Sequence, residues 1–139
     1  MAYDEGLRSV TLTADATAAV YTGVPGLPGS ASPNGGNQYK FVKVTGAKQC
    51  GLADTTSNEI VVGVLQNKPQ TTGSAATVAV RGVSKVLAGG NITAGNAIKV
   101  NADGEGVAAT LPTDAALVVG VAVGSGADGQ LVPVLLKVS

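Results

Sequence analysis

One short apolar motif occurs twice in the sequence, and this repeat limits the possible folds more than any other feature. The two copies read IVVGVL at 60–65 and LVVGVA at 117–122. Both are rich in β-branched residues, too short for a stable helix and bounded by turn-forming residues, so each predicts a strand buried on both faces. The glycine inside each strand, Gly63 or Gly120, indicates a bulge or a close approach of neighbouring backbone.

The segments that flank the two copies are also similar. Lys-Val at 43–44 matches Lys-Val at 99–100 with an offset of 56 residues, and Val-Ala-Val at 78–80 matches Val-Pro-Val at 132–134 with an offset of 54. Small differences in offset fall in polar loops, where insertions and deletions are tolerated. The sequence therefore predicts two related β units in tandem.

The rest of the sequence favours an all-β fold in a single domain of 139 residues. Its 20 glycines and six prolines suit many tight turns, and no window of a dozen residues shows a helical period. With three tyrosines, one phenylalanine and no tryptophan, the core must be aliphatic. We predict a small β-barrel or β-sandwich of short strands with at most one short helix.

The last predicted strand alternates clearly between two faces. One face of this strand carries Val132, Val134, Leu136 and Val138. Leu131 and Leu135 keep the opposite face partly apolar. Pro133 lacks a backbone donor and therefore predicts an edge position or a bulge.

Residues 1–36 are predicted to be an extended N-terminal arm with a Pro/Gly-rich loop, part of the same fold or of an interface, and residues 37–139 form the β domain. Three prolines in 23–36 oppose regular strand pairing, and long loops of this kind are usually functional or disordered. Tyr and Arg are favoured at interface hot spots, although a disordered tail is an equal alternative for residues 1–9. The candidate partner contacts are Tyr3, Leu7 and Arg8 in the arm and Pro25, Leu27 and Pro28 in the loop.

The residue types needed for common catalytic sites are missing. The chain has no histidine, which excludes Ser-His-Asp, Cys-His and histidine-ligated zinc sites. Ser84 and Lys85 are adjacent on a predicted strand, so their side chains point to opposite faces. Asp103 and Glu105 lie in a hydrophilic turn, where little change of pKa is expected. We therefore expect no enzymatic activity, no cofactor and no metal.

Two motifs with functional look-alikes are interpreted as turns. Residues 124–129 spell G-x-G-x-x-G, but a dinucleotide site needs a helix to begin at these glycines, and the residues that follow predict a strand. The run Asn-Ala-Asp-Gly-Glu at 101–105 carries several side-chain oxygens, but it lacks the twelve-residue spacing of an EF-hand calcium loop. A hairpin loop and a solvated turn are the preferred interpretations.

The charge pattern and the single cysteine exclude several classes of partner. Nine basic and nine acidic residues cancel, and no cluster of lysine or arginine is present, so we expect no nucleic-acid partner. No apolar run approaches the length of about 20 residues that spans a bilayer, so we expect no membrane partner and synthesis in the cytoplasm. Cys50 has no partner for an internal disulfide and is interpreted as a buried thiol.

Several blocks of the sequence, in this order, resemble the small capsid cement, or decoration, proteins of tailed bacteriophages. The blocks are VGVLQ at 62–66, ATVAVRGV at 76–83, AGGNITAGN at 88–96, Asp-Gly at 103–104 and VGVA at 119–122, followed by a terminal strand. The resemblance covers residues 37–139, and residues 1–36 are longer than the usual pattern of these proteins.

The resemblance implies a β-rich virion protein that binds the outer surface of the phage head. Such a protein stabilises the head by bridging major capsid protein subunits, often as a homotrimer at three-fold positions, and is made in the host cytoplasm. The alternative is a β-sandwich module of a phage tail or fibre that binds a glycan or a protein. An enzyme is disfavoured by the missing histidine.

Overall fold

The structure is a computed structural model that describes residues 8–15, 38–53, 61–67 and 73–136. The described residues form nine strands and one short 3₁₀ helix at Ala115–Leu117, which confirms the predicted all-β fold with at most one short helix. No helix in these ranges has the length and hydropathy needed to span a bilayer. The strands are β1 (Arg8–Ala14), β2 (Phe41–Gly46), β3 (Gln49–Leu52), β4 (Val61–Leu65), β5 (Ala75–Leu87), β6 (Ala97–Val100), β7 (Gly106–Ala108), β8 (Gly120–Ala122) and β9 (Leu131–Leu136).

The first five strands close into a small barrel. Their order is β1-β3-β2-β4-β5, and an antiparallel pairing between β1 and β5 completes the ring. All pairings in the ring are antiparallel except the parallel contact between β1 and β3. Strand β1 comes from within 1–36, so this part of the predicted arm belongs to the barrel, whereas the predicted boundary at residue 36 stays a prediction.

The second half of β5 begins a second unit. This 13-residue strand pairs with β1 and β4 through its first half and with β9 through its second half. Gly82, with a φ of 97°, lies where the partners of β5 change, and the even positions of the strand are buried or half-buried on both sides of it. The second sheet runs β5-β9-β8-β6-β7, and a parallel bridge between Ala88 and Gly106 returns the end of β5 to β7. This bridge and the segment at 39–41 complete the curved second sheet, which we call the second barrel.

The two units are related strand by strand, as the tandem repeat predicts. The order β3-β2-β4-β5 in the first unit corresponds to β7-β6-β8-β9 in the second. Val42 of β2 faces Gly63, and Ile98 of β6 faces Gly120, so these pairs hold equivalent places. The turns that precede β2 and β6 are also equivalent. Tyr39 and Gly95, which are 56 residues apart, both have positive φ values, of 67° and 94°.

One predicted offset is wrong. Leu65 of β4 faces Val78, and the equivalent Ala122 of β8 faces Val134, so Val78 corresponds to Val134 at an offset of 56 residues. The sequence comparison had matched Val78 with Val132. An alternating Val-x-Val pattern repeats every two residues, so a shift of two leaves the pattern of buried positions unchanged.

Each unit has its own apolar interior, and one aromatic side chain joins them. The interior of the first barrel contains Ala14, Val42, Cys50, Leu65, Ala76 and Val78. The larger core fills the second barrel and also includes Phe41, Ala53, Val64 and Ala79 from the first unit. The ring of Phe41 reaches the second interior, where its Cε2 atom lies near the backbone of Gly106.

The segment at 39–41 enters the second barrel between the end of β5 and the turn that precedes β7. Leu87 N donates a hydrogen bond to Tyr39 O at 2.9 Å, and Phe41 N donates to Gly104 O at 2.8 Å. The equivalent opening in the first barrel is closed, because Thr13 N donates directly to Lys48 O at 2.8 Å. The two barrels are therefore held together by backbone hydrogen bonds as well as by the ring of Phe41.

The two repeated glycines lie where neighbouring backbone leaves no room for a side chain. A Cβ atom at Gly63 would overlap the carbonyl oxygen of Ala79, and one at Gly120 would lie 2.6 Å from the carbonyl oxygen of Leu135. Beside Gly63 the register of β2 and β4 also shifts between Val42 and the next residue. Both predicted roles, a bulge and a close backbone approach, are confirmed for Gly63.

Strand β9 lies between β5 and β8, so the predicted edge position for Pro133 is wrong for the strand as a whole. The carbonyl of Pro133 accepts a hydrogen bond from Val123 N, one residue past the end of β8. In an antiparallel strand, the N–H and C=O of one residue point to the same neighbour. The missing donor of Pro133 therefore faces the place where β8 has already ended.

Candidate functional site

Five of the six predicted partner contacts, Tyr3, Leu7, Pro25, Leu27 and Pro28, lie outside the described residues. The sixth, Arg8, begins β1 and is exposed. It faces Arg81 of β5 across an antiparallel pair, with a register shift directly after Arg8. The proposed contact roles of all six residues stay predictions.

The Arg8 and Arg81 pair forms a small basic spot on the first barrel. Both side chains are exposed, and like charges directly opposite one another on neighbouring strands repel. A carboxylate of a partner placed between them would remove that repulsion and could accept hydrogen bonds from both guanidinium groups. The spot is thus suited to an acidic group on a protein surface.

A row of apolar side chains crosses the outer face of the second barrel. This outer row consists of Val83, Leu135, Val121 and Ala97, which are successive cross-strand partners on β5, β9, β8 and β6. Leu135 is 43% exposed, and the other three side chains are half-buried. Contiguous exposed apolar surface of this kind marks interaction sites more often than isolated apolar residues do.

Further apolar side chains extend this face, and charges lie at its border. Val123 is 50% exposed and Leu131 is 41% exposed. Lys85 of β5 is the exposed cross-strand partner of Pro133. Lys99 of β6 is ion-paired with Asp114, with 2.9 Å between Nζ and Oδ2. The sequence signal for this face was the apolar odd positions of β9, but its cross-strand partners could not be assigned without the register.

A buried polar cluster lies where the two barrels meet. Lys40 is 1% exposed, and its ammonium group lies in the field of Glu105 and Asp103. Burial lowers the pKa of Lys40 below its ordinary value, and the two carboxylates offset only part of this effect. Asn101 holds the turn that carries both carboxylates, because its Oδ1 atom accepts hydrogen bonds from the backbone N–H groups of residues 103 and 105 at 2.9 Å.

The lowered pKa of Lys40 predicts a pH dependence of stability. Between that pKa and the ordinary lysine value of about 10.4, the unfolded chain binds more protons at residue 40 than the folded protein does. The free energy of unfolding should therefore rise with pH in this window. Urea unfolding of the wild type and of Lys40→Met gives the free energy of unfolding of each protein from neutral to alkaline pH. The difference between the two pH profiles measures the contribution of Lys40. Parallel curves would show that Lys40 titrates normally in the folded protein.

The look-alike motifs are turns in the structure. β9 begins at Leu131 directly after 124–130, so no helix follows the G-x-G-x-x-G run, and this segment is the predicted hairpin loop. The 101–105 segment is the predicted turn, in which Asn101 Oδ1 accepts two backbone hydrogen bonds and Asn101 Nδ2 donates one to Glu105 Oε1. Among the described residues, no cluster of three or more potential metal ligands is present. Cys50 is buried, and burial raises the pKa of its thiol, which makes the reactive thiolate scarce.

Comparisons with known proteins give a likeness in fold. The sequence matches no protein-family model, and no curated protein sequence is significantly similar to it. Among solved structures, the chain is similar to the N base of the head fiber gp8.5 of bacteriophage phi29, with a TM-score of 0.60 and 22% sequence identity. The alignment covers 96% of each chain. The chain therefore shares the all-β, small-barrel fold of that head fiber base over nearly its whole length.

Proposed function

We propose that the protein is a structural component of a phage virion that binds the outer surface of the head. The observation that carries this proposal is the likeness to the phi29 head fiber base over 96% of both chains, since that protein is part of a phage head. The ordered sequence blocks shared with capsid cement proteins point to the same location. The finer proposal is that the protein stabilises the head by bridging major capsid protein subunits.

The physical properties of the described barrels suit such a role. Binding and bridging need a rigid body with partner-binding surfaces, and they need no catalytic group. Two small barrels joined by Phe41 supply that body, and the exposed Arg8 and Arg81 pair supplies a contact for an acidic group. The formal net charge of zero leaves little repulsion between neighbouring copies on a crowded capsid.

The proposed contacts with the capsid lie in residues 1–36, with Tyr3, Leu7, Arg8, Pro25, Leu27 and Pro28 as the candidates. Assembly as a homotrimer at three-fold positions is part of the same proposal. Because β1 belongs to the first barrel, an arm at 1–7 is positioned by a strand that is itself fixed in the fold. Capsid binding through the arm would thus hold the whole double barrel.

Glycan binding by a tail or fibre module is the alternative function. Carbohydrate sites commonly use exposed aromatic faces, which are amphipathic and rigid. Of the aromatic residues that the structure describes, Phe41 is buried and Tyr39 is half-buried. This part of the chain offers no exposed aromatic platform, which favours the head protein. Selective binding on a glycan array would reverse that preference.

Purified capsids lacking this protein test the stabilising role. A protein that binds only the assembled shell stabilises it by about 2.7 kcal/mol per site when its free concentration is 100 times Kd. We expect capsids to melt at a higher temperature after addition of the purified protein, measured by calorimetry together with release of DNA.

A matched variant separates binding through the arm from other effects. Deletion of residues 2–7 leaves β1 intact and should reduce both capsid occupancy and the rise in melting temperature. Equal melting profiles with and without bound wild-type protein would contradict the stabilising role. Unchanged occupancy of the deletion variant would remove the arm from the proposal.

A further inference from the structure

The internal repeat relates the outer row to a set of residues in the first unit. Ala97, Val121 and Leu135 are linked by cross-strand pairing in the second unit. The corresponding residues of the first unit are linked by the same pairings, with Phe41 facing Val64 and Val64 facing Ala79. Three of the four residues of the outer row therefore have apolar structural counterparts in the first unit, and the fourth, Val83, corresponds to the exposed Ser9.

The two equivalent rows differ in burial. Phe41, Val64 and Ala79 are all 0% exposed and belong to the core shared with the second barrel. In contrast, Leu135 of the outer row is 43% exposed. In the first unit this sheet face packs against a unit of the same fold, whereas in the second unit the described residues leave the equivalent face partly exposed.

The side chains of the outer row fit an apolar partner surface. All four residues of the row are aliphatic, and the nearby Val123, 50% exposed, adds to the same side of β8. Lys99 at the border is paired with Asp114. Subunit interfaces between identical chains have more apolar centres than other protein surfaces do. A surface of this composition is suited to the centre of such an interface.

We propose that the outer row is a self-association surface that binds a second copy of this chain. The occupant follows from the repeat, because the equivalent face of the first unit is covered by a unit of this same fold. The formal net charge of zero means that two copies meet without long-range repulsion. This inference rests on the proposed function only in assuming that several copies lie next to one another on the head. It adds the surface through which these copies bind each other.

The geometry also indicates how the copies meet. Phe41 enters the second barrel through an opening between Leu87 and Gly104. In the first barrel the corresponding opening is closed by the hydrogen bond from Thr13 N to Lys48 O. The outer row of one copy therefore has no matching opening to enter in another. The contact between copies therefore differs from the contact within one chain, and the proposal is that the rows of neighbouring copies pack against one another around the symmetry axis of a closed assembly.

Sedimentation velocity of the purified protein over a wide concentration range tests this inference. The wild type should sediment as an oligomer, and Leu135→Lys should shift the concentration of half-dissociation upward by roughly 30-fold or more, since a lost interface anchor costs about 2 kcal/mol. Val44→Lys is the matched control, because Val44 is 54% exposed in the first barrel, outside the outer row. It should leave the association unchanged.

A second substitution at position 135 distinguishes weaker association from impaired folding. Leu135→Gln is closer in size and uncharged, and it should weaken association while its thermal unfolding at low concentration stays close to that of the wild type. A monomeric wild type at all concentrations would overturn the inference, as would an equal loss in Leu135→Lys and Val44→Lys. An unchanged oligomer in both Leu135 variants would also overturn it.

Capsid pelleting in parallel separates this inference from the proposed function. A wild type that is monomeric yet binds capsids would overturn the self-association surface and support head binding. If Leu135→Lys then lost capsid binding, the outer row would belong to a capsid contact. A wild type that self-associates through the row but never binds capsids would support the surface and contradict head binding.

Discussion

Replacement of Gly63 by alanine is expected to reduce the free energy of unfolding by at least about 3 kcal/mol or to prevent folding, at the upper end of what overpacking costs. The added Cβ atom would overlap the carbonyl oxygen of Ala79 and lie 2.9 Å from Cγ1 of Val78. The obstacle is mainly backbone of β5, which pairs with β1, β4 and β9 and has little freedom to move aside. The clash therefore has to be relieved by breaking strand pairing.

Two other glycines provide controls for this substitution. Gly120→Ala repeats the experiment in the second unit, where the added atom would lie 2.6 Å from the carbonyl oxygen of Leu135. Gly90→Ala adds the same methyl group where no atom lies within 4 Å, and it should change stability by less than about 1 kcal/mol. Chemical denaturation of the three variants measures the effects. Equal stability of Gly63→Ala and Gly90→Ala would contradict the close approach of β4 and β5.

Replacement of Phe41 by alanine is expected to cost about 3–5 kcal/mol, the range for removal of a buried aromatic side chain. Phe41 is 0% exposed and lies in the core that joins the two barrels. The substitution would leave a cavity at the junction, where closed strand pairing on both sides limits collapse. Because the ring links the units, we also expect unfolding to become less cooperative, with separate transitions for the two barrels.

Substitutions of different size at position 41 test whether the lost side-chain volume causes the loss of stability. Phe41→Leu should recover part of the lost stability, because it refills some of the volume. Val123→Ala removes an apolar side chain that is 50% exposed, and it should change stability by no more than about 0.5 kcal/mol. Calorimetry of these variants reports both the stability and the number of transitions. If Phe41→Ala lost no more stability than Val123→Ala, the role of Phe41 in joining the two barrels would be contradicted.

Much of the fold could be predicted because the repeat and the alternation of apolar residues are local signals. The segment at 60–65 predicted the strand β4, and Gly63 and Gly120 correctly marked close backbone contacts. Burial on both faces was wrong for the segment at 117–122, because only Gly120–Ala122 forms a strand there, Leu117 is 50% exposed and Val121 is half-buried on the outer face. The relation between units was also visible in the sequence. The match of Val78 to Val132 failed because a period of two residues does not fix the register, which is set by pairing with distant strands.

Features that depend on long-range pairing could not be predicted. β5 serves both barrels, and no local pattern indicates that one strand will have partners from two units. Burial of Lys40 at the junction could not be predicted from the sequence, because most lysine side chains are exposed. The outer face was only partly visible in the sequence, through Leu131 and Leu135, because the other three members of the outer row lie on three other strands. The contacts assigned to Tyr3 and Pro25 lie outside the described residues.

Cryo-electron microscopy of the native virion tests the central claim most directly. The proposed function predicts density for the double barrel on the outer surface of the head, in contact with major capsid protein subunits. Copies clustered around symmetry axes with Leu135 near the axis would also match the self-association surface. Density for this protein on the tail or a tail fibre, or its absence from the particle, would contradict the assignment to the head.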